Sequence, residues 1–242
     1  RLEKHGIHTM GELARASLCD EDMLYREFGV DAEILIDHAW GIEPCGMKEI
    51  NAYQPETNSL CEGQVLSCPY TCEKTRLIVQ EMTDSLVYQL MDKGLVTDGL
   101  TLDIGYDREN CDSGGYRGPV QIDRYGRTLP KPSHGSVRLE SATNLGSQLQ
   151  AAAAALFDRI ANPKLTVRRL TLTANRVVKD PGIFQTDFFT DAAKLEKEKS
   201  LQEAMLGLKK RFGKNAVLKG SNYLEGATMR DRNGRIGGHK AE

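Results

Sequence analysis

Apolar residues recur at helical spacing through the first forty positions, where Ile7, Leu13, Leu24, Phe28, Leu35 and Trp40 can share one small core between short helices. Thr9 and Glu12 in TMGE have the spacing of a capping box. Asp20, Glu21 and Asp22 favour the start of a second helix, and Gly29 ends it. Residues 30–40 (VDAEILIDHAW) predict a third helix, stopped by Gly41 and Pro44. From 44 to 59 periodicity disappears among Pro44, Gly46, Asn51, Pro55, Asn58 and Ser59, which predicts a tether between domains.

After the tether the pattern reads strand, helix, strand, strand, helix, strand. GQVLS (63–67) is extended, and Thr75 to Lys93 places Val79, Met82, Leu86 and Leu90 on one helical face before Gly94. VTDGLTLDIGY (96–106) alternates and is followed by a glycine-rich turn region, SGGYRGP. GSVRLES (135–141) alternates again. A second helix then carries Leu145, Leu149, Ala152, Leu156 and Ile160 and ends at Asn162-Pro163. VRRLTLTAN (167–175) is the last strand. The expectation is an α+β domain over residues 60–180, with about four strands, two helices on one face and the other face open.

Successive strand side chains point to opposite faces. With Leu170 and Leu172 turned to the helices, Arg168 shares their side near the strand start, while Arg169, Thr171 and Thr173 point outward. The same alternation turns Thr101, Asp103, Ser136 and Arg138 outward. Adjacent arginines are therefore the odd feature of this strand: one of them needs an anionic partner or an edge.

Residues 181–242 loosen and then recover. GIFQTDFFTD is apolar and aromatic within a polar loop. Lys194 to Phe212 predicts a charged helix with Leu201, Met205, Leu208 and Phe212 as its stripe. The end, GATMRDRNGRIGGHKAE, is rich in glycine and arginine and is expected to be mobile or to order only on a partner.

Composition adds that 27% of the 242 residues are charged and the net charge is −2, so the chain is not a uniformly basic nucleic-acid binder. The average conceals a gradient. Residues 1–56 carry 12 Asp/Glu against 5 Lys/Arg, and the balance reverses between Lys131 and Lys179, so the middle can hold a polyanion. Six scattered cysteines without a secretory signal argue against disulfides, and Cys68-x3-Cys72 has no second pair at zinc spacing. No long apolar run predicts a membrane span, and the expected compartment is the cytoplasm.

The motifs for nucleotide cradles, zinc proteases and serine hydrolases (GxxxxGK[ST], GxGxxG, HExxH, GxSxG) are absent. The five histidines form no acid/base cluster in the sequence, and no active site is predicted. What stands out instead is a set of groups that grip phosphates without reading bases. These are Ser136, Arg138, Arg168, Arg169 and Thr171 on the open sheet, Lys164 in a turn, and backbone N–H groups exposed beside Gly135. A salt-bridged sheet surface would use the same residues. Gln185, Phe188 and Phe189 of QTDFF either tuck into the chain's own core or form a linear motif that inserts aromatic anchors into a partner.

At these residues the sequence resembles the C-terminal portion of Y-family translesion DNA polymerases of the bacterial UmuC/ImpB/MucB/SamB-like branch. RLEKHGIHTMGELA resembles the distal helix-hairpin-helix thumb. SLCEGQVLSCPYTCEKTRLIVQEMTDSL resembles the entry strand and first helix of the little-finger domain. SHGSVRLESATN and VRRLTLTAN resemble its later strands, QTDFF sits where a sliding-clamp motif is common, and the tail from KKRFGKNAV is similar to Gram-positive members.

The resemblance implies a helical thumb remnant over 1–43, a tether over 44–59, a little finger over 60–180 and a clamp-motif loop, helix and basic tail over 181–242. It implies that Arg168 and Arg169, with Ser136 and Arg138, meet the backbone of double-stranded primer-template DNA, where Lys164 and Thr171 are expected to join them, and that Gln185, Phe188 and Phe189 meet the sliding clamp. Nucleotide transfer, with its Mg2+, belongs in that family to a palm upstream of the thumb. This chain is accordingly expected to bind DNA, to need no cofactor of its own, and not to polymerise alone. The competing reading is a stand-alone interaction module recruited to the clamp. Nothing in the sequence points to a small-molecule enzyme.

Overall fold

The computed structural model describes residues 1–53, 58–112, 114–182, 192–236 and 239–240. The chain divides into two compact units, Arg1–Glu56 and Thr57–Glu242.

The first unit is built from α1 (Met10–Cys19), α2 (Glu21–Phe28), α3 (Asp31–Ala39) and α4 (Met47–Ala52). The capping box forms: Thr9 Oγ1 accepts from the Glu12 amide at 3.2 Å, while Glu12 Oε2 accepts from the Thr9 and His8 amides at 2.9 and 2.7 Å. Those backbone donors, His8 first, hold the Glu12 carboxyl below its ordinary range. Asp20 caps α2 by accepting from the Met23 amide at 3.1 Å. Leu13 and Leu24 are fully enclosed, with Ile7, Met23 and Ala32 around them. Two expectations change. Trp40 lies outside this core, 49% exposed, with its indole N–H donating to Ser17 Oγ at 3.2 Å. The segment read as a tether contains α4, because Glu49 folds back to accept the Gly46 amide at 3.0 Å and starts a helical turn.

The second unit is α+β. Its strands β1 (Leu60–Tyr70), β2 (Leu95–Tyr106), β5 (Ser133–Thr143) and β6 (Val167–Asn175) form an antiparallel sheet in the order β1-β6-β2-β5, and the short β7 (Val178–Lys179) pairs with the start of β2. Between β2 and β5 lie the short helix α6 (Glu109–Asp112) and a separate hairpin of β3 (Val120–Ile122) and β4 (Thr128–Pro130). The helices α5 (Cys72–Asp92) and α7 (Gly146–Ile160) pack on one face of the sheet. Ile78, Val79, Met82, Leu86 and Leu90 of α5 and Leu149, Ala153, Leu156 and Phe157 of α7 meet Leu100, Leu102, Ile104, Leu170, Leu172 and Ala174 of the strands.

The fit is tightest at Gly135 of β5. A Cβ there would come 2.8 Å from Ile160 Cγ2 and 3.1 Å from Leu156 Cδ1. Gly135 therefore faces α7 and serves close helix–strand packing, not an exposed backbone for phosphate, which corrects its expected role.

The C-terminal region forms a further layer over the helices. Helix α8 (Ala192–Phe212) reaches the N-terminus of α7, where Glu198 accepts from the Ser147 amide and hydroxyl, each at 2.7 Å, and Gln202 accepts from the Gly146 amide at 3.2 Å. A carboxylate at that end satisfies free N–H groups and complements the helix dipole. The stripe expected to bury α8 does not do so: Leu201, Leu208 and Phe212 are exposed, and polar contacts hold the helix instead, including Lys210 with Asp92.

The segment from Gly213 to α9 (Met229–Asn233) is anchored to α5, and its part from Gly226 onward was expected to be mobile. Its anchor is Glu81 of α5, 1% exposed. Glu81 accepts from Asn222 Nδ2 (2.9 Å), the Thr228 amide (2.7 Å), Thr228 Oγ1 (3.1 Å) and the Met229 amide (3.0 Å). Lys219 adds an ion pair to Asp84 at 2.7 Å and Arg232 one to Glu62 at 3.1 Å. Among the described residues no helix is long and apolar enough to cross a membrane.

Candidate nucleic-acid interface

The sheet face away from α5 and α7 carries the side chains left over by strand alternation, and the register aligns them in rows. One row runs Cys61, Thr173, Thr101, Ser136 across β1, β6, β2 and β5; the next runs Gly63, Thr171, Asp103, His134. Val65, Arg169 and Gly105 form a third row, and Asn175, Gly99 and Arg138 a fourth at the opposite end. The face is thus hydroxyl-rich in its middle, with one arginine at each end. Six steps along β2 lead from Gly99 to Gly105, so the two arginine rows stand about 20 Å apart along the strand direction.

Strict alternation fails at the adjacent arginines. Gly105 pairs with Arg169 but Tyr106 pairs with Val167, so Arg168 is an extra residue in a β-bulge. The expectation that Arg168 shares the helix side is therefore corrected: Val167 takes that side, 1% exposed, and the Arg168 side chain is 40% exposed. Seating a guanidinium beneath α5 and α7 without a partner would cost several kcal/mol, and the bulge avoids it. Arg168 Nε instead lies 3.7 Å from Asp107 Oδ2. That carboxylate is nearly buried and also accepts the Glu109 amide at 2.9 Å.

Arg169 is exposed and makes no ion pair with a described residue. Thr171 sits between Gly63 and Asp103. Ser136 is exposed beside Thr101, and its carbonyl accepts from Arg159 at 2.6 Å. Arg138 is 79% exposed, 3.6 Å from Asp98 Oδ2. Lys164 projects from the Asn162–Thr166 turn, where its amide donates to Asn162 Oδ1 at 3.1 Å. Of the candidates, Arg168, Arg169 and Thr171 share β6, Ser136 and Arg138 share β5, and Lys164 comes from the turn before β6. Gln185, Phe188 and Phe189 lie outside the described residues.

Two features of the face were not singled out from sequence. His134 Nδ1 lies 2.6 Å from Asp103 Oδ1 at the centre of the open sheet, and outward alternation at both positions was the available signal. Arg176, in left-handed backbone at φ 46°, binds Asp98 at 2.6 Å, so two arginines share that carboxylate. No sequence pattern marks such a turn. Among the described residues no three histidine, cysteine or acidic side chains converge as a metal site.

Residues 59–188 match the impB/mucB/samB family C-terminal domain. The chain is similar to a Bacillus subtilis (strain 168) protein named "Putative UV-damage repair protein UvrX", 26% identical over 242 residues, which cover 99% of this chain and 51% of that protein. It is 28% identical over 240 residues to DNA polymerase IV 2 of the same strain (98% and 52% of the two chains) and 24% identical over 239 residues to DNA polymerase IV 2 of Halalkalibacterium halodurans (98% and 52%). The chain spans about half the length of these curated relatives. With the family domain covering more than half of its residues, the chain belongs to the impB/mucB/samB, UmuC-like family of Y-family polymerases and carries that family's C-terminal domain.

Proposed function

We propose that this chain is the DNA-holding part of a damage-bypass polymerase acting in DNA repair, and that the open sheet face cradles the sugar-phosphate backbone of primer-template duplex. The observation that carries the reading is Arg169, an exposed guanidinium with no carboxylate partner among the described residues, flanked along its strand by the hydroxyls of Thr171 and Thr173. Guanidinium forks and hydroxyls bind phosphate oxygens without distinguishing bases. A reader of backbone alone accepts a damaged template as readily as an intact one. Arg168, Arg138 and Lys164 add charge around the same face, Ser136 a further hydroxyl. The ion pairs of Arg168 and Arg138 span 3.7 and 3.6 Å, longer than charge-assisted hydrogen bonds, so both guanidiniums keep donors for phosphate. Nucleotide transfer and its Mg2+ are assigned to a palm domain of the kind this family carries.

Each phosphate neutralised on duplex lowers log affinity by about 0.9 per unit of log salt. Binding should be weak, non-specific and strongly salt-dependent. The test is duplex affinity at two salt concentrations for the wild-type chain and for Arg168→Ala/Arg169→Ala. A weaker variant with a shallower salt dependence supports the reading, and equal, salt-insensitive binding by both proteins eliminates it.

Recruitment to the sliding clamp through Gln185, Phe188 and Phe189 belongs to the same proposal and rests on the QTDFF sequence. Immobilised clamp should retain the wild-type chain and lose Phe188→Ala/Phe189→Ala. Undiminished retention removes the motif.

A further inference from the structure

The β3–β4 hairpin projects an aromatic residue at a turn that is built to hold it. Asp123-Arg124-Tyr125-Gly126 forms a tight turn in which the Gly126 amide donates to the Asp123 carbonyl at 3.0 Å, with Gly126 in left-handed backbone at φ 76°. The Asp123 carboxylate stiffens the loop by accepting the Tyr125 and Arg127 amides, both at 2.9 Å, and Arg127 Nε at 2.7 Å. Tyr125 is nevertheless 66% exposed, and Ile122 at the end of β3 is exposed as well. The guanidinium carbons of Arg124 and Arg127 stand 4.7 and 4.9 Å from the tyrosine ring centroid. Arg127 is matched by Asp123; Arg117, Arg124 and Lys131 are exposed around the same hairpin without ion-pair partners among the described residues.

The position of the hairpin matters as much as its chemistry. It joins through Lys131-Pro132 to Ser133, which pairs with Ile104 at the end of β2. That is the end of the sheet where Arg168 and Arg169 lie, since Gly105 pairs with Arg169 and Tyr106 with Val167. An exposed ring with two guanidiniums over it, in a surplus of positive charge, is the equipment for binding unpaired nucleotides: the ring and guanidiniums stack with bases and the cations take phosphates. A paired base inside a duplex offers no such face. Val120 and Ile122 add exposed apolar surface to the hairpin, but the unmatched charge of Arg117, Arg124 and Lys131 around the ring complements a polyanion.

We infer that the β3–β4 hairpin binds single-stranded nucleic acid, with a base stacked on Tyr125 and its backbone held by Arg124 and the neighbouring cations, where a strand continues beyond duplex gripped by the sheet. The inference rests on the proposed DNA-binding reading for the duplex part only; the hairpin's preference for unpaired nucleotides is separable from it.

The test compares the full chain's affinity for a blunt duplex and for the same duplex carrying a 5′ thymidine overhang. Wild type is expected to bind the overhang substrate at least about five-fold more tightly, the lower end of what one stacked base contributes. Tyr125→Ala should abolish that advantage and leave blunt-duplex affinity unchanged, while Tyr125→Phe, which keeps the stacking surface, should retain it. Tyr125 is exposed at the tip and contributes nothing to the buried core, and circular dichroism of the variants checks that they fold. Equal binding of both substrates by wild type, or an advantage that survives Tyr125→Ala, overturns the inference. If Arg168→Ala/Arg169→Ala spares blunt-duplex binding while Tyr125→Ala still removes the overhang advantage, the sheet reading fails and the hairpin site stands.

Discussion

Gly105 stands across from Arg169 in paired strands, and a Cβ at Gly105 would lie 3.1 Å from the arginine's own Cβ. Cross-strand Cβ atoms ordinarily sit about 4.5–5.5 Å apart, so the glycine leaves the arginine room to stand on the open face. Gly105→Val should therefore tilt Arg169. The better strand propensity of valine offsets part of the crowding, leaving stability within about 1 kcal/mol of wild type. Duplex affinity should fall several-fold. Thermal melting together with a salt-matched binding titration checks the pair of outcomes.

The two adjacent arginines should separate by role. Arg168 neutralises Asp107 at 3.7 Å, whereas Arg169 has no such duty. Arg168→Ala leaves a nearly buried carboxylate without its cation and should lose more stability than Arg169→Ala. In binding, Arg169→Ala should cause the larger drop, with the slope of log affinity against log salt shallower by about 0.9. Denaturant titration and binding at several salt concentrations would show a reversed ranking if the roles were misassigned.

Gly135→Ala places a methyl 2.8 Å from Ile160 Cγ2, and overpacking of that kind costs about 1–3 kcal/mol. Because the residue faces α7, its effect should appear in the denaturation midpoint and not in duplex affinity measured where the variant is folded. A selective loss of binding would instead place Gly135 at the DNA surface.

Glu81→Ala removes one acceptor from four donors and strands the Thr228 and Met229 amides. Unpaired buried groups of this kind predict a loss of about 3 kcal/mol. The segment after Gly213 should come free of α5, so limited proteolysis should trim it in the variant under conditions that leave wild type intact.

The tyrosine hairpin should loosen in acid. The hydrogen bond from Arg127, helped by the Arg127 and Tyr125 amides, holds the Asp123 carboxyl below its ordinary range. A carboxyl depressed in the folded state contributes its support above its unfolded pKa and loses it as pH falls through the folded value. NMR signals of the Tyr125 and Arg127 amides should be constant near neutrality and shift together only below the usual carboxylate range. Asp123→Asn should remove that transition.

The helices were legible because the information is local. The capping box of Thr9 and Glu12, and the stripes of Val79, Met82, Leu86 and Leu90 and of Leu149 and Leu156, are set by spacing within one turn or a few. The outward set of the sheet was legible for the same reason at Thr101, Asp103, Ser136, Arg138 and Thr171. The hairpin of 120–130 was missed although the signal was present: alternation in Val120-Gln121-Ile122 leads into Asp-Arg-Tyr-Gly, a turn sequence with glycine at its left-handed position.

Period-two patterning and helical spacing were enough to establish an α+β domain with an open polar face, since both depend only on backbone geometry repeated along the chain. They could not place the bulge at Arg168, the seat of Gly135 against Ile160, or the buried carboxylate of Glu81 that gathers a segment about 140 residues away. Each of those depends on which other element arrives at the position. An acidic residue on the outer face of a helix reads as solvated until a distant stretch of chain supplies its donors, and two neighbouring arginines read as a conflict until the strand beside them shows one residue too few.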